Sequence, residues 1–191
     1  LIPAYFSRDV RVDIMERELL ILGLLKAQSQ HGYKINEFIT NNLGRVSNMR
    51  KATAYAILKR LEQEGYAQSS PGQEGNRPAK LVYSITKKGE EKFEQLLRRV
   101  LSNVDETIPA GDIGMMFADH LSPSEVLECL QIRLGKIEHM LNKYRSAPKH
   151  GNGFGVNLSI SHRIRLLEAD REWLLETMQW FEQQTSVRWS E

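Results

Sequence analysis

Asn48, Arg50, Lys51 and Thr53 open one helical segment with side chains suited to a nucleic acid. A guanidinium or ammonium pairs with the acceptor edge of guanine, and a carboxamide pairs with adenine. A threonine hydroxyl serves a base edge or a phosphate. Tyr55 and Lys59 follow on the same segment, and the small Ala52, Ala54 and Ala56 would let its backbone come close to a groove. Two further cations are Arg77, inside a glycine-bearing loop from Pro71 to Pro78 and suited to a minor groove or a phosphate, and Lys80 just after that loop. Tyr33 opens the preceding helix, where a phenol and a helix N-terminus can both meet phosphate.

Charge supports that chemistry once it is localised. The 191 residues carry 26 basic and 24 acidic side chains, a net charge of +2 that by itself argues against a nucleic-acid binder. Residues 45–88 hold nine basic and three acidic side chains, a balance of +6. Residues 1–100 also balance at +6, and residues 101–191 at −4. Duplex DNA owes much of its affinity to neutralised phosphate, so a basic half joined to an acidic half fits a division of labour. A merely solvated charged face is the plain alternative for Arg50 and Lys51.

The elements that position these residues read helix, helix, helix, strand, strand, helix. Leu19, Leu20, Leu22, Leu24 and Leu25 make a first helix apolar nearly all round, hence buried, with a turn expected at Gln28–Gly32. Ile35, Phe38 and Ile39 carry a second helix, which Gly44 should end as a left-handed cap. The third runs over 49–64 with Tyr55, Leu58 and Leu61 on its inner face, and Gly65 stops it. Strands are expected at Tyr66–Ser70 and Lys80–Ile85, around a loop of hairpin character. Thr86 caps a fourth helix striped by Phe93, Leu96, Leu97, Val100, Leu101 and Val104. Three helices followed by a two-stranded hairpin is the plan of a winged helix, with the third helix as reader and residues 69–80 as wing.

Pro109, Gly111 and Gly114 mark a boundary, giving a winged-helix domain over 1–107 and a helical domain over 108–191. Ser122-Pro123-Ser124-Glu125 is a capping box with proline at the first helical position. Leu127, Leu130, Leu134, Ile137, Leu141 and Tyr144 then alternate three and four apart, a coiled-coil seam. A last helix over about 159–184 has one stripe of Ile160, Ile164, Leu167, Leu174, Met178 and Phe181, and a second row of Leu166, Trp173 and Trp180. Two rows give it a stripe too wide for one partner, so both intramolecular packing and a second copy of the chain are expected.

His31-Gly32-Tyr33-Lys34-Ile35 resembles the HGY-x-I element of PadR-type transcriptional regulators. The run from Tyr55 to Gly65 resembles their Y-P-x-L-x-R-L-E-x-x-G recognition helix, with Ala56 in place of the proline. Gly75-Asn76-Arg77-Pro78, and Tyr83 through Thr86 to Gly89, resemble their wing and the L-T-x-x-G after it. The C-terminal half looks like the longer, virulence-activator-like subgroup. Ala54, Arg50 and Ala52 depart from common family residues, so the family's base preference does not carry over.

The resemblance implies a homodimer on a palindromic site of double-stranded DNA, acting as a repressor, with interlocking C-terminal helices. It also implies a small aromatic effector, for which Trp173, Trp180 and Phe181 are candidate lining residues, although aromatics at helical spacing are more often core or interface. Met115, Met116 and Phe117 fit a short connecting helix. No enzyme is expected: Gly151-Asn152-Gly153-Phe154-Gly155 lacks G-K-[ST] and a preceding strand, so it reads as a flexible loop. The five histidines are scattered and Cys129 stands alone, so neither metal nor cofactor is expected. No apolar run spans a membrane, and a cytoplasmic setting is expected. Two rivals stay open, a winged-helix adaptor that binds protein and a ligand-binding helical module with a vestigial winged domain.

Overall fold

The computed structural model describes residues 10–31, 35–72, 80–104, 110–147 and 154–187. The chain divides into two compact units, Leu1–Ile108 and Pro109–Glu191. The first holds helices α1 (Val10–His31), α2 (Ile35–Asn41), α3 (Leu43–Val46) and α4 (Lys51–Gln63). Strands β1 (Ala67–Gly72) and β2 (Lys80–Ile85) follow, then α5 (Lys87–Ser102). The second holds α6 (Ala110–Met115), a short 3-10 turn (Ala118–His120), and the long helices α7 (Pro123–Arg145) and α8 (Phe154–Val187). This is a mainly helical protein with a two-stranded antiparallel sheet. Among the described residues no helix is long and apolar enough to cross a membrane.

The first unit is built around α1, which packs on α4, α5 and β2. Ile21, Leu22 and Leu25 are fully buried there, together with Ile35, Ile39, Leu43, Leu58 and Leu61 from the next three helices. Burying each such side chain contributes about 1.5–3 kcal/mol, which is why a seven-residue α2 persists where an isolated peptide of that length would melt. The expected turn at Gln28 is absent: α1 continues through His31, because Gln28 is used by neighbouring elements instead of solvent. Gly44 does not end α2 as a left-handed cap. It lies inside α3, whose first residue Leu43 is buried and draws a further helical turn into the core.

The left-handed glycine is Gly65, with φ of +77°, directly after α4. It turns the chain so that the Tyr66 carbonyl accepts from the Thr86 N–H at 3.1 Å, closing the base of the hairpin. The Thr86 hydroxyl donates to the Gly65 carbonyl at 2.7 Å and accepts from the Gly89 N–H at 3.1 Å, capping α5. Phe93, Leu96, Leu97 and Val100 lie on the inner side of α5, but Leu101 in its last turn and Val104 beyond its end are exposed, correcting the longer stripe expected from spacing.

In the second unit α7 and α8 pack against each other. Val126, Leu130, Ile137, Leu141, Leu167 and Leu174 form a buried seam, with Leu134, Tyr144, Ile164, Met178 and Phe181 against it. Val126 replaces the expected Leu127 in the first turn, because it lies four residues before Leu130 and so on the same face. Ser122 and Glu125 make the capping box in full. The hydrogen bonds from Ser122 hold the Glu125 carboxyl below its ordinary range. The Arg145 guanidinium, 2.8 Å from Glu168 across the two helices, does the same there. Gly111 and Gly114 sit within α6 rather than breaking it, and α8 starts at Phe154, inside the stretch expected to be loop.

Candidate nucleic-acid interface

Helix α4 presents the candidate site, and its inner face fixes the presentation. Ala54, Ile57, Leu58 and Leu61 are buried at i, i+3, i+4, i+7. The approach is pinned by buried Met49, whose N–H donates to the Ser47 hydroxyl at 3.1 Å. Two expectations change. Tyr55 is on the outer face, 39% exposed, and Ala54 is on the inner one. The three-residue spacing of Tyr55, Leu58 and Leu61 drifts off a true 3.6-residue helix, so the first member rotates out.

The outer face carries Arg50, Lys51, Ala52, Tyr55, Ala56 and Lys59, all exposed, with Asn48 exposed just before it and Thr53 half-buried. Lys51, Tyr55 and Lys59 recur every four residues and share a stripe. Arg50 occupies the N-cap position in extended backbone and its side chain makes no capping hydrogen bond. The first N–H groups of α4 therefore have no cap from Arg50 and can serve as anion donors. Among the described residues Arg50, Lys51 and Lys59 make no ion pair, which leaves their charge available to a partner.

Two other cations of the basic segment are structural. Half-buried Arg60 bonds Glu18 of α1. The Lys88 ammonium donates to the Glu64 carbonyl at 2.8 Å and lies 4.6 Å from the centre of the Tyr66 ring. Glu62 is turned toward β1, where the Ser69 hydroxyl donates to it. Burial of Tyr83, and after it the neighbouring Glu62 and Tyr55, raise its phenol above the ordinary value, so it stays neutral.

β1 and β2 pair with Ala67 opposite Ile85 and Gly72 opposite Lys80. Lys80 thus opens the returning strand. Tyr33 and Arg77 lie outside the described residues. Two residues outside the expected site hold this hairpin, Gln28 and Asn36, whose carboxamides donate to the Tyr83 and Leu81 carbonyls at 2.7 Å each. Lone polar residues within helices carry no periodic pattern.

The expected dimerisation residues separate into two sets. Leu130, Leu134, Ile137, Leu141, Ile164, Leu167, Leu174 and Phe181 are spent on the α7–α8 seam within one chain, and Leu127 is half-buried outside it. Leu166, Trp173 and Trp180 stay on the outside of α8, 42–54% exposed. Trp180 meets Phe181 edge-on, with ring centres 4.9 Å apart. A groove of about 660 Å³ lies elsewhere, between Tyr144 and Arg145 of α7 and Ile160, Ile164 and Glu168 of α8.

Residues 21–95 match the Transcriptional regulator PadR-like family. An uncharacterized protein of Lysinibacillus sphaericus is 29% identical over 91 residues, 47% of this chain and 84% of that one. The negative transcriptional regulator PadR of Bacillus subtilis (strain 168) is 29% identical over 79 residues, 41% of this chain and 43% of its own. The crystal structure of Bacillus subtilis PadR with operator DNA superposes with a TM-score of 0.69 at 20% identity, covering 86% of this chain and 98% of the other. The same protein with p-coumaric acid gives 0.66 at 19%, covering 92% and 99%. A PadR-like regulator of Bacillus cereus gives 0.63 at 21%, covering 87% and 96%. At these identities the structural likeness shows a shared fold.

Proposed function

We propose that this chain, whose residues 21–95 match the PadR-like transcriptional regulator family, is a sequence-specific repressor that binds double-stranded DNA as a homodimer. The observation that carries the reading is the outer face of α4. Arg50, Lys51, Tyr55 and Lys59 stand exposed with no acid among the described residues engaged to them, at the position of the reading helix in a winged helix. Arg50, Lys51 and Asn48 reach base edges, Lys59 and the open N-terminus of α4 take phosphate, and the wing, with Arg77 and Lys80, holds the flank. Tyr33 adds a phosphate contact. The fold shared with the operator complex of Bacillus subtilis PadR supports this placement.

The second unit joins the two copies. With the α7–α8 seam closed within the chain, the dimer uses the outer row of α8, Leu166, Trp173 and Trp180. A row of large exposed apolar side chains at seven-residue spacing is the surface a second helix would cover. The proposal places this chain in the longer, virulence-activator-like subgroup and in the cytoplasm. A small aromatic effector, of the class bound by the Bacillus subtilis protein, would act by changing the angle between the two winged units.

Selection of bound duplexes from a random pool tests the function. The expected result is an enriched inverted repeat with half-sites about one helical turn, or a multiple of it, apart. A pool that stays unenriched would favour the protein-binding adaptor.

A further inference from the structure

The free edge of β2 is held by side chains from two helices. The Thr86–Tyr66 hydrogen bond and the register make Gln68–Ser84 and Ser70–Val82 hydrogen-bonded pairs. Leu81 and Tyr83 therefore direct their carbonyls away from β1. The same alternation puts Pro71, opposite Leu81, where no ladder N–H is needed. Among the described residues the sheet has two strands, so no third strand takes those outward carbonyls.

Two carboxamides do so. Gln28 of α1 donates from Nε2 to the Tyr83 carbonyl at 2.7 Å, and its Oε1 accepts from the Ile35 N–H of α2 at 2.6 Å. Asn36 of α2 donates from Nδ2 to the Leu81 carbonyl at 2.7 Å. One side chain thus joins α1, α2 and β2, and a second grips β2 two residues nearer the wing tip. A two-stranded ribbon is marginal by itself, and here its base is fixed by the Tyr66–Thr86 pair. On the β1 side the Ser69–Glu62 bond and buried Ala67 hold the ribbon to the core, and on the outer edge of β2 the two amides add the restraint against tilting.

We infer that Gln28 and Asn36 are positioning residues that set the attitude of the wing against α4, and so act on DNA through the wing without touching it. The inference rests on the DNA-binding reading above. A wing held in advance costs little to order on binding, whereas a tilting wing must be immobilised by the DNA itself.

The test uses the full chain carrying Asn36→Leu or Gln28→Met, neutral changes close in shape that leave the charge of the surface alone. The first readout is hydrogen exchange of the amides in 67–72 and 80–85. Both variants should speed it by about tenfold or more, with the exchange of α4 unchanged. The second readout is affinity for the selected duplex against salt. Affinity should fall by about tenfold, and the slope of log affinity against log salt should shrink by about one for each phosphate contact the wing gives up. A simple loss of stability would not move that slope. Unchanged exchange in the hairpin overturns the inference, and so does faster exchange with unaltered affinity and slope. If the unmodified protein binds no duplex while the variants still speed exchange, the DNA reading fails and the strut stands. Asn36→Leu, whose hydrogen bond lies at the surface, keeps the test open if Gln28→Met does not fold.

Discussion

Replacing Gly89 by alanine will destabilise the winged-helix unit by about 3 kcal/mol or more, in the range reserved for severe core disruption. A β-carbon at Gly89 would lie 2.0 Å from the Tyr66 carbonyl oxygen, 2.9 Å from Cγ1 of Ile85 and 3.0 Å from the Tyr66 carbonyl carbon. No rotamer change relieves a clash with backbone, so α5 must move away from the hairpin base. That movement would strip the Thr86 cap and the Thr86–Tyr66 bond together. For a unit of this size each kcal/mol lowers the melting temperature by about 4–8 °C, so thermal unfolding followed by circular dichroism should show a drop of about 12 °C or more. Gly44→Ala is the control. Nothing lies within 4 Å of its added β-carbon, and the position is helical, so the change should be neutral or stabilise by up to about 1 kcal/mol. Equal effects at the two glycines would refute the packing described for α5.

Arg50→Ala will weaken specific DNA binding by about 1–3 kcal/mol per half-site if the guanidinium meets a base. A dimer carries the change twice, so the total is about 2–6 kcal/mol, a factor of about 30 at the least. Arg60→Ala gives the contrast: its guanidinium is engaged with Glu18 on α1, so its removal should lower stability and leave the base preference intact. Affinity for the selected duplex and for single-base variants of it distinguishes the two. A uniform loss across all sequences would make Arg50 a phosphate contact, and an unaltered affinity would remove it from the interface.

Where sequence and structure agree, the agreement comes from residues whose local chemistry decides their geometry. The Ser122–Glu125 box, the Thr86 cap and the turn at Gly65 each follow from one side chain or one missing side chain. The α4 stripe of cations was legible because charge density does not depend on an exact face. Misreadings fall where a tertiary neighbour decides. Tyr55 and Ala54 exchange sides because about 100° of phase, more than a quarter turn, separates i+3 from i+4 spacing. Gly44 has the composition of a cap but follows a buried leucine that prolongs the helix. Leu127 lost its place to Val126 for the same reason of phase. The two apolar rows of α8 were visible, but which one faces α7 depends on packing between helices, and it left Trp173 and Trp180 outside. Gln28 was read into a turn and Asn36 gave no signal, since a single amide side chain acquires its meaning only when β2 arrives beside it.

The central claim is that the exposed cations of α4, together with Arg77 and Lys80, exist to meet phosphate and bases. Its most direct measurement is the affinity of the full chain for its selected duplex as a function of salt. Six to ten phosphate contacts across a dimer predict a fall of about 10³–10⁵ in affinity between 50 and 200 mM salt. Binding that stays flat across that range, or no binding at 50 mM, would contradict the account.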